Sequence, residues 1–425
     1  TVTLAAGASQ SGFGQTYSAV SWDTTPKTGL FTAVSGVGYF CNTTSAPFTV
    51  TLPAGTAGDV IAFADYAATW QTNNLTVSPN GTEKIGGTNS NVILNTEGQS
   101  VTFVFVDSTQ GWINTMDSTS NVRGASFIAA TGGTITTVCT DYKVHTFTGP
   151  GTFTVTNAGT PTGSNTVDYL VIAGGGGGAG ASNAGGGGAG GYRESPGTAS
   201  GSYTVSPLGV APAVALLVPA TAYPITVGSG GAGRSTTPNG NGINGTVSTF
   251  STITSAGGGG GGSSGTPANA GGSGGGDAYD TNNPTGGAGN TPSVSPPQGQ
   301  PGGGSPGPVC APFYGAHGGG GAGAAGGIGS PTAGGAGGAG VTSSINNTPT
   351  TRTGGGGGGT NSTVAPGGAG GGGAGGSSTP PCAGAGGVGG INTGSGGGGT
   401  GQPLGCGGIG GNGGSGIVII RYKFQ

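Results

Sequence analysis

The chain has 425 residues, of which 109 are glycine and only 21 are charged, and its formal net charge is −3. A weakly acidic chain without grouped lysine and arginine lacks the cationic surface that nucleic-acid phosphates require, so no nucleic-acid partner is expected. No stretch of about 20 consecutive apolar residues occurs, so no helical membrane span is expected.

The glycine is unevenly distributed, since 89 of the glycines lie in residues 174–425. The preceding part has the short alternating apolar segments of a strand protein. We therefore predict an all-β N-terminal part and a β-capped glycine-rich body, with essentially no α-helix in either.

Residues 1–28 are poor in apolar side chains and are predicted to be an N-terminal arm or connector. Residues 29–115 contain short apolar segments such as Phe48–Leu52, separated by turns rich in Gly, Pro and Asn. Segments about ten residues apart are typical of a small β-sandwich or meander. The polar segment 116–124 is predicted to be a linker.

A layer of strands is predicted over residues 125–173. Tyr142–Phe147 and Thr152–Val155 flank the sequence Gly-Pro-Gly at 149–151, which predicts a β-hairpin with these three residues at its tip. The strand Thr166–Ala173 leads directly into glycine, and residues 416–425 are predicted to return the chain to this layer as a closing strand.

The glycine-rich body is predicted to span residues 174–415. A collagen triple helix requires glycine at every third position, and the uninterrupted runs Gly257–Gly262 and Gly354–Gly359 have no such period. Disorder is the competing interpretation, although the low net charge is not typical of it. We favour a lattice of polyproline II helices made of glycine, because backbones without side chains can approach closely enough to hydrogen-bond to one another.

The sequence contains no motif for catalysis, a cofactor or a metal. The phosphate-binding pattern GxxxxGK[ST] is missing, the two histidines (His145 and His317) are far apart, and the five cysteines show no CxxC spacing. An odd number of cysteines excludes a complete disulfide framework, although Cys310 could pair with Cys382 or Cys406. We therefore expect no enzyme activity, no cofactor and no metal site.

Two blocks of the first part carry a resemblance to a known family. The segment from Thr51 to Gly87 (TLPAGTAGDVIAFADYAATWQTNNLTVSPNGTEKIGG) and the segment from Leu94 to Trp112 (LNTEGQSVTFVFVDSTQGW) resemble a small β domain of tail fibres in tailed bacteriophages. The resemblance implies that this part of the chain is a fibre module.

A second set of motifs covers the remainder of the chain. YKVHTFTGPGTFTV (142–155), VDYLVIAGGGGG (167–178) and SGIVIIRY (415–422) occur in this order and resemble the glycine-rich domain that ends many phage fibres and adhesins. The resemblance implies a polyglycine sandwich whose loops contact a host surface glycan or outer-membrane protein. It further implies a virion location, other tail or fibre proteins as partners, and a homotrimer.

The connectors between the glycine runs differ in length and composition, and they hold most of the aromatic and charged side chains of the second part. Because a few aromatic anchors commonly dominate binding, we select candidate receptor contacts from these connectors. They are Tyr279, Asn282, Phe313, Tyr314, His317, Asn346, Asn347 and Arg352. The alternative is a purely structural fibre or decoration protein of the tail or head, without a receptor site of its own.

Overall fold

A computed structural model describes residues 20–118, 126–161, 163–180, 182–201, 203–235, 240–280, 285–305, 314–378, 384–402 and 408–425. In these residues all regular structure is β-strand, in 22 strands and no helix, so the all-β prediction is confirmed. Accordingly, none of these residues belongs to a helix that could cross a bilayer. The chain divides into two compact units, Thr1–Gly124 and Ala125–Gln425.

The first unit contains nine strands in two sheets. They are β1 (Ser21–Lys27), β2 (Phe31–Thr32), β3 (Val37–Cys41), β4 (Phe48–Thr51), β5 (Val60–Asp65), β6 (Leu75–Ser78), β7 (Val92–Leu94), β8 (Ser100–Asp107) and β9 (Gly111–Ser118). One sheet has the order β1-β3-β5-β8-β9 and the other β2-β4-β6-β7.

The first six strands alternate between the two sheets. Each of the first four pairs in parallel with the strand two places further along the chain, as in β1 with β3 and β4 with β6. The unit is therefore a sandwich and not a meander, because every connection from β1 to β6 crosses to the opposite sheet. Apolar alternation predicts which residues face the core, here Phe63, Leu75 and Trp112 among others, but it does not encode which strands become neighbours.

Strand β1 lies within the segment that was predicted to be an arm. Its sequence SWDTTPK has one large apolar residue, Trp22, which explains why no strand pattern is visible there. Backbone pairing with β3 and the contact between the Trp22 and Phe40 rings, 4.9 Å apart at their centroids, hold this edge strand in place.

The second unit begins with a pair of packed sheets. Its strands are β10 (Ile128–Thr131), β11 (Thr134–Val138), β12 (Tyr142–Phe147), β13 (Gly151–Ala158), β14 (Thr166–Ile172), β15 (Tyr192–Glu194), β16 (Leu216–Leu217), β17 (Ala222–Thr226), β18 (Ser248–Phe250), β19 (Ile253–Ser255), β20 (Val341–Ser343), β21 (Thr350–Arg352) and β22 (Ile417–Lys423). The central sheet runs β11-β12-β22-β14-β15, with β16 also pairing with β14, and the outer sheet runs β10-β13-β17-β18-β19.

The predicted hairpin of β12 and β13 is wrong. Strand β12 pairs with β11 and β22 in the central sheet, whereas β13 pairs with β10 and β17 in the outer sheet. The segment 148–150 carries the chain from one sheet to the other. Phe147 and Phe153, on either side of it, both point into the core between the sheets, and burying both rings favours this arrangement.

The central sheet is covered on both faces. On β22, Val418 and Ile420 belong to the core shared with the outer sheet, whereas Ile417 and Ile419 belong to a second core that includes Ile345 of the β20–β21 connection. A strand that is buried on both faces needs an uninterrupted apolar run, and IVII at 417–420 supplies it.

The glycine runs are bound to one another by backbone hydrogen bonds that repeat every third residue. In the run 174–180, the N–H groups of Gly174, Gly177 and Gly180 donate to residues 240–246, those of Gly175 and Gly178 to residues 411–414, and those of Gly176 and Ala179 to residues 185–188. Successive residues thus donate to three different neighbours in turn, and the pattern repeats every third residue. This is the pattern expected for polyproline II, a helix with three residues per turn.

The run 184–191 shows how a helix inside the lattice is surrounded. Its N–H groups donate to the runs 256–262, 317–320 and 394–400, and its carbonyl oxygens accept from the runs 176–179, 273–276 and 356–359. Six neighbours leave no side of this helix open. The lattice thus satisfies the backbone groups that a lone polyproline II helix leaves to water.

Candidate binding site at the distal loops

The lattice has two ends with different surroundings. At the sheet end, β14 passes directly into Ala173 and Gly416 leads into β22. The run 353–360 begins at this end, where the N–H of Thr353 donates to the carbonyl of Thr393, and it reaches the level of Ala184 at Gly359. Six residues at a rise of about 3.1 Å span about 19 Å. The opposite end, near Ala184 and Thr360, is called the distal end below.

Two predicted aromatic residues meet at the distal end. The rings of Tyr279 and Tyr314 lie edge to face with centroids 5.1 Å apart, and both side chains are half-buried. Each tyrosine lies where a glycine run ends or begins, so the backbone lattice fixes its position. The contact joins two connectors that are distant in sequence, and the rings retain exposed surface for a partner.

Amide side chains extend this aromatic pair into a polar cluster. The N–H of Tyr314 donates to Oδ1 of Asn361 at 3.1 Å, and Nδ2 of Asn361 donates to Oε1 of Gln402 at 3.3 Å. Ser378 adds a hydroxyl that donates to the Asn361 carbonyl at 2.8 Å. We define the distal cluster as Tyr279, Tyr314, Asn361, Ser378 and Gln402.

Sequence reasoning missed the polar members of the distal cluster. Asn361 lies two residues after the hexaglycine run 354–359, and Gln402 lies three residues after the run 396–399. Runs that end at the same level of the lattice bring together the residues that come shortly after them, and the ends of the runs are visible in the sequence. The sequence does not show which runs pair with each other.

His317 lies at the distal end but inside the lattice. Its side chain is fully buried, and its Nδ1 accepts a hydrogen bond from the N–H of Gly329 at 2.9 Å. Burial lowers the pKa of His317 to about 4, so the imidazole is neutral at pH 7. His317 therefore holds the connector after the run 315–321 and presents no surface to a receptor.

The remaining described candidates lie at the sheet end. Asn346 is half-buried and Asn347 is exposed, in the turn between β20 and β21, and Arg352 is buried at the end of β21. Burial lowers the pKa of the Arg352 guanidinium, and its charge interacts favourably with Glu194. The length of the lattice separates these residues from Tyr279 and Tyr314, so the candidates form two groups and not one site. Burial also removes Arg352 from the surface.

The β20–β21 connection is fixed to the central sheet by a buried cation. The guanidinium of Arg421 lies over the rings of Tyr142 and Tyr203, 4.6 Å and 5.3 Å from their centroids, and its Nη1 donates to the carbonyl of Ile345 at 3.1 Å. At the tip, the Cys139 thiol donates to Oδ1 of Asn347 at 3.2 Å. These contacts give the connection a structural role.

The apolar-rich segment 192–224 covers the edge of the central sheet. Two buried carboxylates anchor its beginning. Asp168 accepts from the Ser195 hydroxyl at 2.8 Å and from the N–H of Ser200 at 2.8 Å, and Glu194 accepts from the Tyr192 hydroxyl at 2.9 Å and from the N–H of Ser206 at 3.0 Å. Burial raises the pKa of Glu194. Because each buried carboxylate accepts hydrogen bonds from residues of this segment, the two carboxylates fix its beginning in place.

Other sequence predictions fall outside the described residues. Asn282 and Phe313 are among them, and so are Cys310, Cys382 and Cys406. Within the described residues, no group of three or more His, Cys, Asp or Glu side chains is arranged to hold a metal ion.

The second unit corresponds to a known sequence family. The family model of the glycine-rich domain matches residues 146–423, from β12 to the last residue of β22 and more than half of the chain. No curated protein matches the chain. The matched range includes the β14 and β22 strands of the central sheet and the whole lattice, and we conclude that the chain belongs to the glycine-rich domain family.

Proposed function

We propose that this chain is the receptor-binding subunit of a phage tail fibre, and that it attaches the virion to a bacterial surface through the distal cluster. The observation that carries the proposal is the contact between Tyr279 and Tyr314 at the end of a lattice that has almost no side chains of its own. A rigid body with little chemistry along its length, and aromatic and amide groups at its end, is suited to presenting a small binding surface.

The composition of the distal cluster favours an uncharged polar ligand. Tyrosine rings offer flat apolar surface with little conformational entropy to lose, and the amides of Asn361 and Gln402 can donate and accept hydrogen bonds. Such groups suit the faces and hydroxyls of a surface glycan, and they also suit an extracellular loop of an outer-membrane protein. Several copies in one fibre would add avidity to a weak individual contact.

The resemblance of residues 51–112 to fibre modules supports a virion location and partners among the other tail proteins. A homotrimer is the oligomer that this resemblance suggests. The rival proposal is a structural fibre or decoration subunit, for which the distal cluster would have no ligand.

Binding to cells tests the proposal. The full chain, fluorescently labelled, is incubated with a panel of bacterial strains, and bound protein is measured by flow cytometry. We expect saturable binding to some strains and competition with adsorption of the virion that carries the chain. The variant Tyr279→Ala/Tyr314→Ala should bind at least about tenfold more weakly, because it removes two anchors of about 1 kcal/mol or more each.

A matched control separates binding from folding. Tyr66→Ala removes an exposed tyrosine from the first unit and should leave binding unchanged. The double variant should melt like the parent, since both rings are half-buried in surface connectors. Virion adsorption that saturating protein does not reduce would contradict the proposal and favour the structural rival.

A further inference from the structure

The sequence of a glycine helix reflects its place in the lattice. Inner runs such as 257–262 and 354–359 are uninterrupted glycine. Outer helices carry a larger residue at every third position, and these residues are exposed or half-buried. Three examples are Ala333-Ala336-Ala339, Ala385-Val388-Ile391 and Ile409-Asn412-Ser415.

The helix 384–391 shows how the period arises. Gly386 and Gly389 donate to residues 409 and 412, and Gly387 and Gly390 donate to residues 374 and 371. The third direction of the helix faces solvent. Val388 is 69% exposed and Ile391 is 79% exposed along it. Apolar side chains this exposed contribute little to the stability of the unit, so their presence calls for another reason.

Side chains prevent close approach of backbones. A Cβ on Gly386 would lie 1.9 Å from the carbonyl oxygen of Gly398, so a bonded neighbour excludes any side chain at that position. An isolated alanine can be accommodated, as the buried Ala189 shows. A side chain at every turn, or a branched one such as Val388, leaves no such room.

We propose that the side chains at every third position of the outer helices close the lattice against a second copy of this chain. Without them, an outer helix would present a bare row of N–H and C=O groups to which a glycine helix of another molecule could bond. The problem and the solution parallel those of edge strands in β-sheets, where side chains block pairing between molecules. The inference holds whatever the lattice end binds.

The test converts one outer helix to bare glycine. The variant Ala385→Gly/Val388→Gly/Ile391→Gly is compared with the parent and with Ala385→Ser/Val388→Ser/Ile391→Ser, which keeps every Cβ. Sedimentation is measured over a range of protein concentrations. We expect the glycine variant to form species of at least twice the parent mass, with slower amide exchange in residues 385–391 at high concentration. The serine variant should sediment like the parent.

Each alternative outcome is decisive. A glycine variant with the parent's mass at every concentration would overturn the proposal, as would equal association of the serine variant. Association that weakens in both variants would show that Val388 and Ile391 are themselves a contact, which also overturns it. If the glycine variant does not fold, the same comparison at Ala333, Ala336 and Ala339 decides the question.

Discussion

The backbone N–H of Gly356 donates to the carbonyl oxygen of Gly187 at 2.8 Å, although the two residues are far apart in the chain. The bond brings two glycine runs side by side with no side chain between them. The stability of the second unit therefore depends on the absence of Cβ atoms at these positions, because the backbones themselves are in contact there.

Substitution of central glycines should unfold the lattice. A Cβ on Gly258 would lie 2.2 Å from the carbonyl oxygen of Gly188, and one on Gly356 would lie 2.0 Å from that of Gly397. We expect Gly258→Val and Gly356→Val each to lower the free energy of unfolding by about 3 kcal/mol, because the backbone of a neighbouring run must move to admit the Cβ. Denaturant unfolding measures this. Gly149→Val is the control, since a Cβ there meets nothing within 4 Å; equal stability of all three variants would refute the packed lattice.

His317 should make stability depend on pH. Its folded pKa of about 4 lies below the ordinary value of 6.5, so the unfolded chain binds the proton first as the pH falls. The stabilisation that comes from burying the neutral imidazole is fully present above pH 6.5. It is lost as the pH falls from about 6.5 to 4, and the total loss is about 3 kcal/mol. The buried His145, whose pKa is also lowered, acts in the same direction.

The variant His317→Gln isolates this contribution. It keeps a hydrogen-bond acceptor near Gly329 but does not titrate, so its stability should fall less than that of the parent between pH 7.5 and pH 4.5. The part due to His145 should remain in both proteins. Parallel pH profiles for the two proteins would show that His317 is not buried as described.

The two cysteines within the described residues should differ in reactivity. Cys41 is buried in the core of the first unit, and burial raises the pKa of its thiol to about 12, whereas Cys139 is exposed. Because the thiolate is the reactive form, a maleimide should label Cys139 in the native protein and Cys41 only after unfolding. Peptide mapping by mass spectrometry distinguishes the two sites, and native labelling of Cys41 at the same rate would contradict the fold of the first unit.

Removal of the Asp168 carboxylate should release the segment 192–224. Asp168→Ala leaves the N–H of Ser200 and the hydroxyl of Ser195 without their buried acceptor, so we expect a loss of about 3 kcal/mol. Asp141→Ala is the matched control, because the hydrogen bond from Thr140 to Asp141 lies at the surface. Limited proteolysis should cut the segment in the first variant only, and similar resistance of both would count against the anchoring role.

The sequence predicted the strands and the glycine lattice better than it predicted how they associate. Apolar alternation located β4, because side-chain burial leaves a local signal. The hairpin of β12 and β13 was wrong, since the choice between pairing and crossing depends on distant strands such as β17 and β22. The candidate site was predicted only in part for the same reason. Composition selected Tyr279 and Tyr314, but the meeting of their runs, and the burial of His317 and Arg352, follow from long-range packing.

The position of β22 has a consequence for the order of folding. It lies between β12 and β14, which have no contact in the central sheet without it. Residues 417–423 must therefore be synthesised before this sheet can close. Until then, more than two hundred residues of glycine-rich chain remain unassembled. Long-range closure of this kind is slow, and the nascent chain exposes the unpaired edges of two apolar strands until it is complete.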